Sequence, residues 1–180
     1  MLLRFHQFAL ALEDAALTEH VRSLPRFLRK FTLGSVLAYA LTKCVDLLEK
    51  RRKYEEATAL LRTLLAQDLY LSDYHGLWHE RLALDLDQHL KRPLLSLRSI
   101  RAGLDDPNVR EARRLALCQR AEKIGAAKKN ATGAAKKDIR AELEGLRMNP
   151  NWVDPEIDMP KVVIQGQVRE FAPFFRFVGH

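Results

Sequence analysis

Cysteine is scarce in these 180 residues: Cys44 and Cys118 are the only two. Two cysteines make no disulfide framework, so nothing here reads as a small stapled secreted domain. Both sit among helix-compatible residues and read as small buried hydrophobes in a reducing compartment. Long apolar runs are missing too. No stretch of about 18 uncharged apolar residues exists, which excludes a membrane-spanning helix. The apolar start from Met1 to Leu12 is interrupted by Arg4, His6 and Gln7, and no small-residue cleavage site follows, so it is not read as a signal peptide. With 8 glycines and 7 prolines the chain is neither collagen-like nor low-complexity overall.

Catalytic signatures are equally sparse. There is no glycine-rich phosphate loop and no Gly-x-Ser-x-Gly elbow. His79-Glu80 lacks the second histidine of a zinc-protease motif, because position 83 is Ala83. His75 and His79, four apart, share a helix face, and Asp85, Asp87 and His89 lie a few residues on. They read as ordinary polar surface rather than as a metal site or catalytic pair. The Glu-x-Lys of many metal-dependent nucleases occurs nowhere. No catalytic residue and no metal ligand is therefore assigned.

What is present is a composition able to build a core: 47% hydrophobic, 29% charged, in 20.7 kDa. The formal net charge of +7 and pI of about 9.6 favour an anionic partner. Residues 101–140 hold eleven Lys/Arg against five Asp/Glu. Arg110, Arg113, Arg114 and Arg120 are spaced to share part of one helix surface, a candidate grip on DNA phosphates. A solvated helix face is the competing reading.

The periodicity is helical through most of the chain. Residues 1–22 form an amphipathic pattern with no cap before it. Ser23 and Pro25 read as the start of a helix that continues to Lys50, with Phe27, Phe31, Val36, Leu37, Leu41, Val45 and Leu48 as its apolar stripe. Gly34 inside it either admits a close neighbour or weakens the helix. Tyr54 opens the next helix. Ala57 sits where paired-helix repeats put the small residue of a helix–helix contact, with Leu61 four later and Leu41, Cys44 and Leu48 facing them. Ser72 or Asp73 caps a helix through Trp78, Leu82 and Leu86 to about Leu90. Pro93 restarts a helix that Gly103 closes, and Ser96 lies 39 residues after Ala57, an irregular repeat. Asp106-Pro107 reads as another helix start. After Ile124 comes a basic linker containing two near-copies of Gly-Ala-Ala-Lys-Lys, then a short helix from Asp138 to Leu146. Lys161 to Gln165 reads as a strand, with Val168 to Val178 as its one candidate partner.

The expected class is thus all-α: irregular tetratricopeptide-like helical hairpins with a short C-terminal strand segment. The expected division is a repeat domain over 1–124, a basic linker over 125–160 and a strand-forming tail over 161–180. The abrupt start and the unpaired strand read as a piece of a longer protein.

Five stretches stand out: Leu24-Pro-Arg-Phe-Leu-Arg-Lys-Phe-Thr-Leu-Gly34, Lys53-Tyr-Glu-Glu-Ala57, Trp78-His-Glu-Arg-Leu-Ala-Leu-Asp-Leu-Asp-Gln-His-Leu-Lys-Arg92, Gly103-Leu-Asp-Asp-Pro-Asn-Val-Arg110 and Arg114-Leu-Ala-Leu-Cys-Gln-Arg120. Through them residues 24–121 resemble the Fanconi-anaemia-associated nuclease family, and Val162-Val-Ile-Gln-Gly166 looks like the strand opening the family's next region. The resemblance implies the middle region of a nuclear nuclease that cleaves 5′ flaps, acts as a 5′-to-3′ exonuclease and repairs interstrand crosslinks. In that family a DNA-binding SAP-type region precedes this part, and a nuclease domain using Mg or Mn follows it. This chain is then a scaffold contacting DNA and those domains, with no cofactor of its own and no membrane partner. Two phosphate-pocket positions carry over: the family's Arg is Leu77 here, and its His is Arg113. The alternative is a protein–protein interaction module of tetratricopeptide type, without direct DNA contact.

Overall fold

Two apolar clusters organise the chain, and one helix belongs to both. The computed structural model describes residues 15–127 and 134–154. In order these form α1 (Ala15–Ser23), a single turn α2 (Arg26–Arg29), α3 (Leu33–Lys50) and α4 (Tyr54–Leu65). A 3-10 turn at Ser72–Tyr74 leads into α5 (His75–Leu84), which loosens into a π turn at Asp85–His89. Then come α6 (Pro93–Asp105), α7 (Glu111–Ala127) and α8 (Ala134–Arg147). Among the described residues there is no strand, and the expected strand at 161–165 lies outside them. The architecture is all-α, built of helical hairpins.

The first core joins α3, α4, one side of α5 and the π turn: Leu41, Val45, Leu48, Leu61, Leu64, Trp78 and Leu86 are all nearly inaccessible. The second joins the other side of α5 with α6, α7 and α8, through Ala83, Leu97, Ile100, Leu104, Leu117, Cys118 and Ile124. Each hairpin closes on a small residue, as the spacing anticipates. Ala57 is fully buried in α4, and Ser96 is fully buried in α6 with its hydroxyl donating to the Ala83 carbonyl at 2.7 Å. Both cysteines are free, Cys118 buried and Cys44 half-buried.

Several local expectations fail for identifiable reasons. Ser23 ends α1 rather than starting a helix, its hydroxyl bonded back to the His20 carbonyl. The expected long helix to Lys50 breaks at residues 30–32. Thr32, in extended conformation, caps α3 by accepting from the Ser35 N–H. Phe27, Phe31 and Val36 are 65, 73 and 56% exposed, and the buried apolar side chains of α3 begin only at Ala38. Gly34 admits the Tyr70 ring, which occupies the space a Cβ would need. The pattern expected to stay helical to Leu90 opens at Asp85, where the Leu90 N–H reaches the Asp85 carbonyl at 2.9 Å. Gly103 lies inside α6, not at its end. Asp106-Pro107 starts no helix; Asp106 Oδ1 accepts from the Asn108 N–H at 2.8 Å and α7 begins at Glu111. The helix expected at Asp138–Leu146 spans Ala134–Arg147, and its Ile139, Leu143 and Leu146 join the second core.

Candidate nucleic-acid interface

The four arginines singled out from sequence lie along α7 and the loop before it. Arg110 sits in the α6–α7 connection and pairs with Asp73 of the 3-10 turn at 2.7 Å, both side chains about three-quarters exposed. Arg113, in the first turn of α7, pairs with Glu80 of α5 at 2.5 Å. Its stem lies over Gly76, where an added Cβ would stand 2.8 Å from Arg113 Cβ and Cγ. A side chain at position 76 would force α5 and α7 apart. Leu77, half-buried, follows Gly76 in α5. Arg114 and Arg120 are half-buried, and the Nε of each is enclosed without a hydrogen-bond partner. Among the described residues no carboxylate pairs with either. The four therefore divide: Arg110 and Arg113 tie α7 to preceding elements, whereas Arg114 and Arg120 keep their charge uncommitted.

Trp78 and Arg81 serve the packing. Trp78 is fully buried, and its indole N–H donates to Thr42 Oγ1 at 3.1 Å. Arg81 clasps Glu49 through Nε at 3.0 Å and Nη2, and Asp46 through Nη1 at 3.0 Å, joining α5 to α3.

The histidines correct the sequence reading. His75 and His79 are not polar surface: they are 2 and 6% exposed. His75 Nδ1 lies 2.6 Å from Asp106 Oδ2, and His79 Nε2 lies 3.5 Å from the same oxygen. Asp106, taken from sequence as a helix cap, is the acceptor that closes this cluster. Burial would push its carboxyl up, but the His75 hydrogen bond, the Asn108 N–H and the two histidine charges together hold it below the usual range. Burial pushes His79 down from 6.5, against the opposing pull of Asp106. The spacing of His75 and His79 was visible; their carboxylate partner, 31 residues from His75, was not. Asp85 is 1% exposed with neither carboxylate oxygen hydrogen-bonded, and burial raises its pKa. Among the described residues no group of three or more potential ligands is arranged to hold a metal ion, and no helix is long and apolar enough to cross a membrane.

Stacked helical hairpins, each closed on a small residue and meeting through shared apolar faces, define a tetratricopeptide-type helical domain. A family model described as "Fanconi-associated nuclease 1, TPR domain" matches residues 5–125. The chain belongs to the Fanconi-associated nuclease 1 family, of which it carries this helical domain. It is similar to Fanconi-associated nuclease 1 of Mus musculus, 47% identical over 102 residues, covering 57% of this chain and 10% of that protein. The Danio rerio protein of the same name is 41% identical over 113 residues, 63% of this chain and 11% of that one. The Homo sapiens protein is 46% identical over 101 residues, 56% of this chain and 10% of that one. The matches thus span about a tenth of these relatives.

Proposed function

We propose that the chain is the helical scaffold of a structure-selective DNA-repair nuclease. In this reading the parent is a nuclear 5′ flap endonuclease and 5′-to-3′ exonuclease of interstrand crosslink repair. The chain contributes DNA phosphate contacts through Arg110, Arg113, Arg114 and Arg120, and packing against SAP-type and nuclease domains. Catalysis and its Mg or Mn belong to the nuclease domain. The observation carrying this reading is the pair of half-buried arginines on α7, Arg114 and Arg120, that no carboxylate among the described residues holds. A phosphate reaching Arg110 or Arg113 must displace Asp73 or Glu80, so binding here is modest and weakens with salt.

A second reading, peptide recognition, has one specific support. A groove of about 400 Å³ runs between α4 and α6 over α5, with Leu65, Leu82, Leu86 and Leu95 inside and Arg62 and Arg98 among its lining residues. The deciding experiment is binding of the whole chain to 5′-phosphorylated flap DNA and to plain duplex across a salt series. Steep salt dependence, with a slope lowered by about two when Arg114 and Arg120 are both changed to Ala, supports the scaffold reading. Flap preference would place the 5′ phosphate here despite Leu77. Absence of binding at low salt overturns direct DNA contact and leaves the peptide reading.

A further inference from the structure

Positive charge without carboxylate partners also gathers away from α7, at the turns that close the two hairpins. The α3–α4 turn carries Lys50, Arg51, Arg52 and Lys53; the connection from the π turn to α6 carries Lys91 and Arg92. These turns lie side by side. Arg92 forks onto the Glu55 carboxylate, at 2.7 Å and 3.3 Å, and the His89 ring stacks on Tyr54 with centroids 3.8 Å apart and planes within 2°. Two acids answer this cluster: Glu55 is taken by Arg92, and Glu56 by Lys53 at 2.7 Å. Lys50, Arg51, Arg52 and Lys91 are exposed, and none pairs with a carboxylate among the described residues.

The backbone makes the turns equivalent. Arg52 has φ of 59° and Lys91 φ of 56°, both left-handed, and they are two of the three non-glycine residues described with positive φ. In the first turn the Arg52 N–H returns to the Glu49 carbonyl and the Lys53 N–H to that of Leu48. In the second the Arg92 N–H returns to the Leu86 carbonyl at 2.7 Å. Each is a helix stop of the kind where glycine normally takes the left-handed position. Arg52 and Lys91 are also 39 residues apart, the spacing of Ala57 and Ser96. The repeat thus sets the same strained, cationic residue at the apex of both turns. Helix-dipole complementarity accounts for cations ending α3. It gives no reason for charged residues at two positions where a side chain strains the backbone and glycine does not.

We infer that the paired turns form one phosphate-binding edge, with Lys50, Arg51, Arg52 and Lys91 gripping the phosphodiester backbone of nucleic acid and the Arg92–Glu55 and His89–Tyr54 contacts holding the turns in register. The inference rests on reading the chain as part of a DNA-acting nuclease, and it adds a surface distinct from α7. Backbone contacts of this kind position the duplex and read no sequence.

The test is fluorescence anisotropy of the full chain with a labelled duplex DNA across a salt series, with three variants each lacking two cations. Arg52→Gly/Lys91→Gly changes the turns, and glycine suits both backbones, so the melting midpoint should hold or rise; Asn at both sites is the substitute should the glycine variant melt earlier. Arg114→Ala/Arg120→Ala changes α7. Arg22→Gln/Lys30→Gln removes charge near the opposite end of α3. The turn variant should lose about 1.8 from the slope of log affinity against log salt, two phosphate contacts' worth, and the Arg22/Lys30 variant little. If the turn variant binds as the parent does while the α7 variant weakens, the edge is wrong and the scaffold reading stands. If the Arg22/Lys30 variant loses as much as the turn variant, net charge alone acts and the edge is overturned. If the turn variant alone weakens, the edge stands and the α7 contact falls. No binding by the parent at about 50 mM salt overturns both.

Discussion

Asp85 should destabilise this fold at neutral pH, and removing its charge should stabilise it. Its side chain opens the π turn, nearly inaccessible, with both oxygens lacking hydrogen-bond partners. Burial raises its pKa, while His89 and Arg81 offset only part of that cost. A raised folded-state pKa makes the folded chain bind more protons than the unfolded chain, so the wild type loses stability as pH rises from 3.8 through that folded value. Asp85→Asn keeps the shape and never ionises. A buried acceptor left unsatisfied costs about 1–3 kcal/mol, more when charged, and the amide still lacks partners, so the expected gain is about 1 kcal/mol at pH 7. For a chain of this length that raises the melting midpoint by about 2–4 °C. Urea unfolding of both proteins at pH 7 and below pH 4 measures it. The gain should appear at pH 7 and shrink in acid, where the wild-type carboxyl is protonated in both states. A variant less stable by the same amount at both pH values would refute the reasoning, because the carboxylate would then have a favourable role in packing that ionisation does not control.

Two further outcomes follow from the buried polar groups. His79 is depressed below 6.5, so the unfolded chain takes up its proton first and stability falls as pH drops below 6.5. Asp106, held below 3.8, adds a second loss under that pH. His79→Gln should flatten the upper step and leave the lower one, read from urea midpoints across pH; an unchanged upper step would place the titration elsewhere. Thr42→Val should cost about 1–3 kcal/mol by stranding the buried Trp78 indole N–H. In the Trp78→Phe background the same change should cost much less, and equal costs in calorimetry would remove the hydrogen bond from the account.

The hairpins were legible because helix pairing demands a small residue at a fixed place, and Ala57 and Ser96 supply it. The break before α3 was not, since Phe27, Phe31 and Val36 keep a helical period while pointing to solvent. Periodicity reports a face, not its burial. The α8 helix was expected only as a short helix within a linker because its apolar residues are few; Ile139, Leu143 and Leu146 enter the core only through α6 and α7. Asp106 was misread because Asp-Pro is a local start signal and His75 is a distant partner. The pairing of the basic turns was not legible, since one-dimensional order separates Arg52 from Lys91 and the stacked repeats bring their turns together.

The two basic surfaces differ in what a phosphate would meet. Arg113 and Arg114 lie in the first turn of α7, where the helix dipole disfavours cations. Glu80 and Asp73 already supply the anions that Arg113 and Arg110 require. A phosphate arriving there replaces one anion with another, so the net gain is small and the contact fixes position more than it adds affinity. At the hairpin turns no carboxylate holds Lys50, Arg51, Arg52 or Lys91, and an arriving phosphate displaces only counterions. Counterion release is what makes nucleic-acid affinity fall steeply with salt. The steep part of the salt dependence should therefore belong to the turns and to the uncommitted Arg114 and Arg120, and the orientation of a DNA end to Arg110 and Arg113.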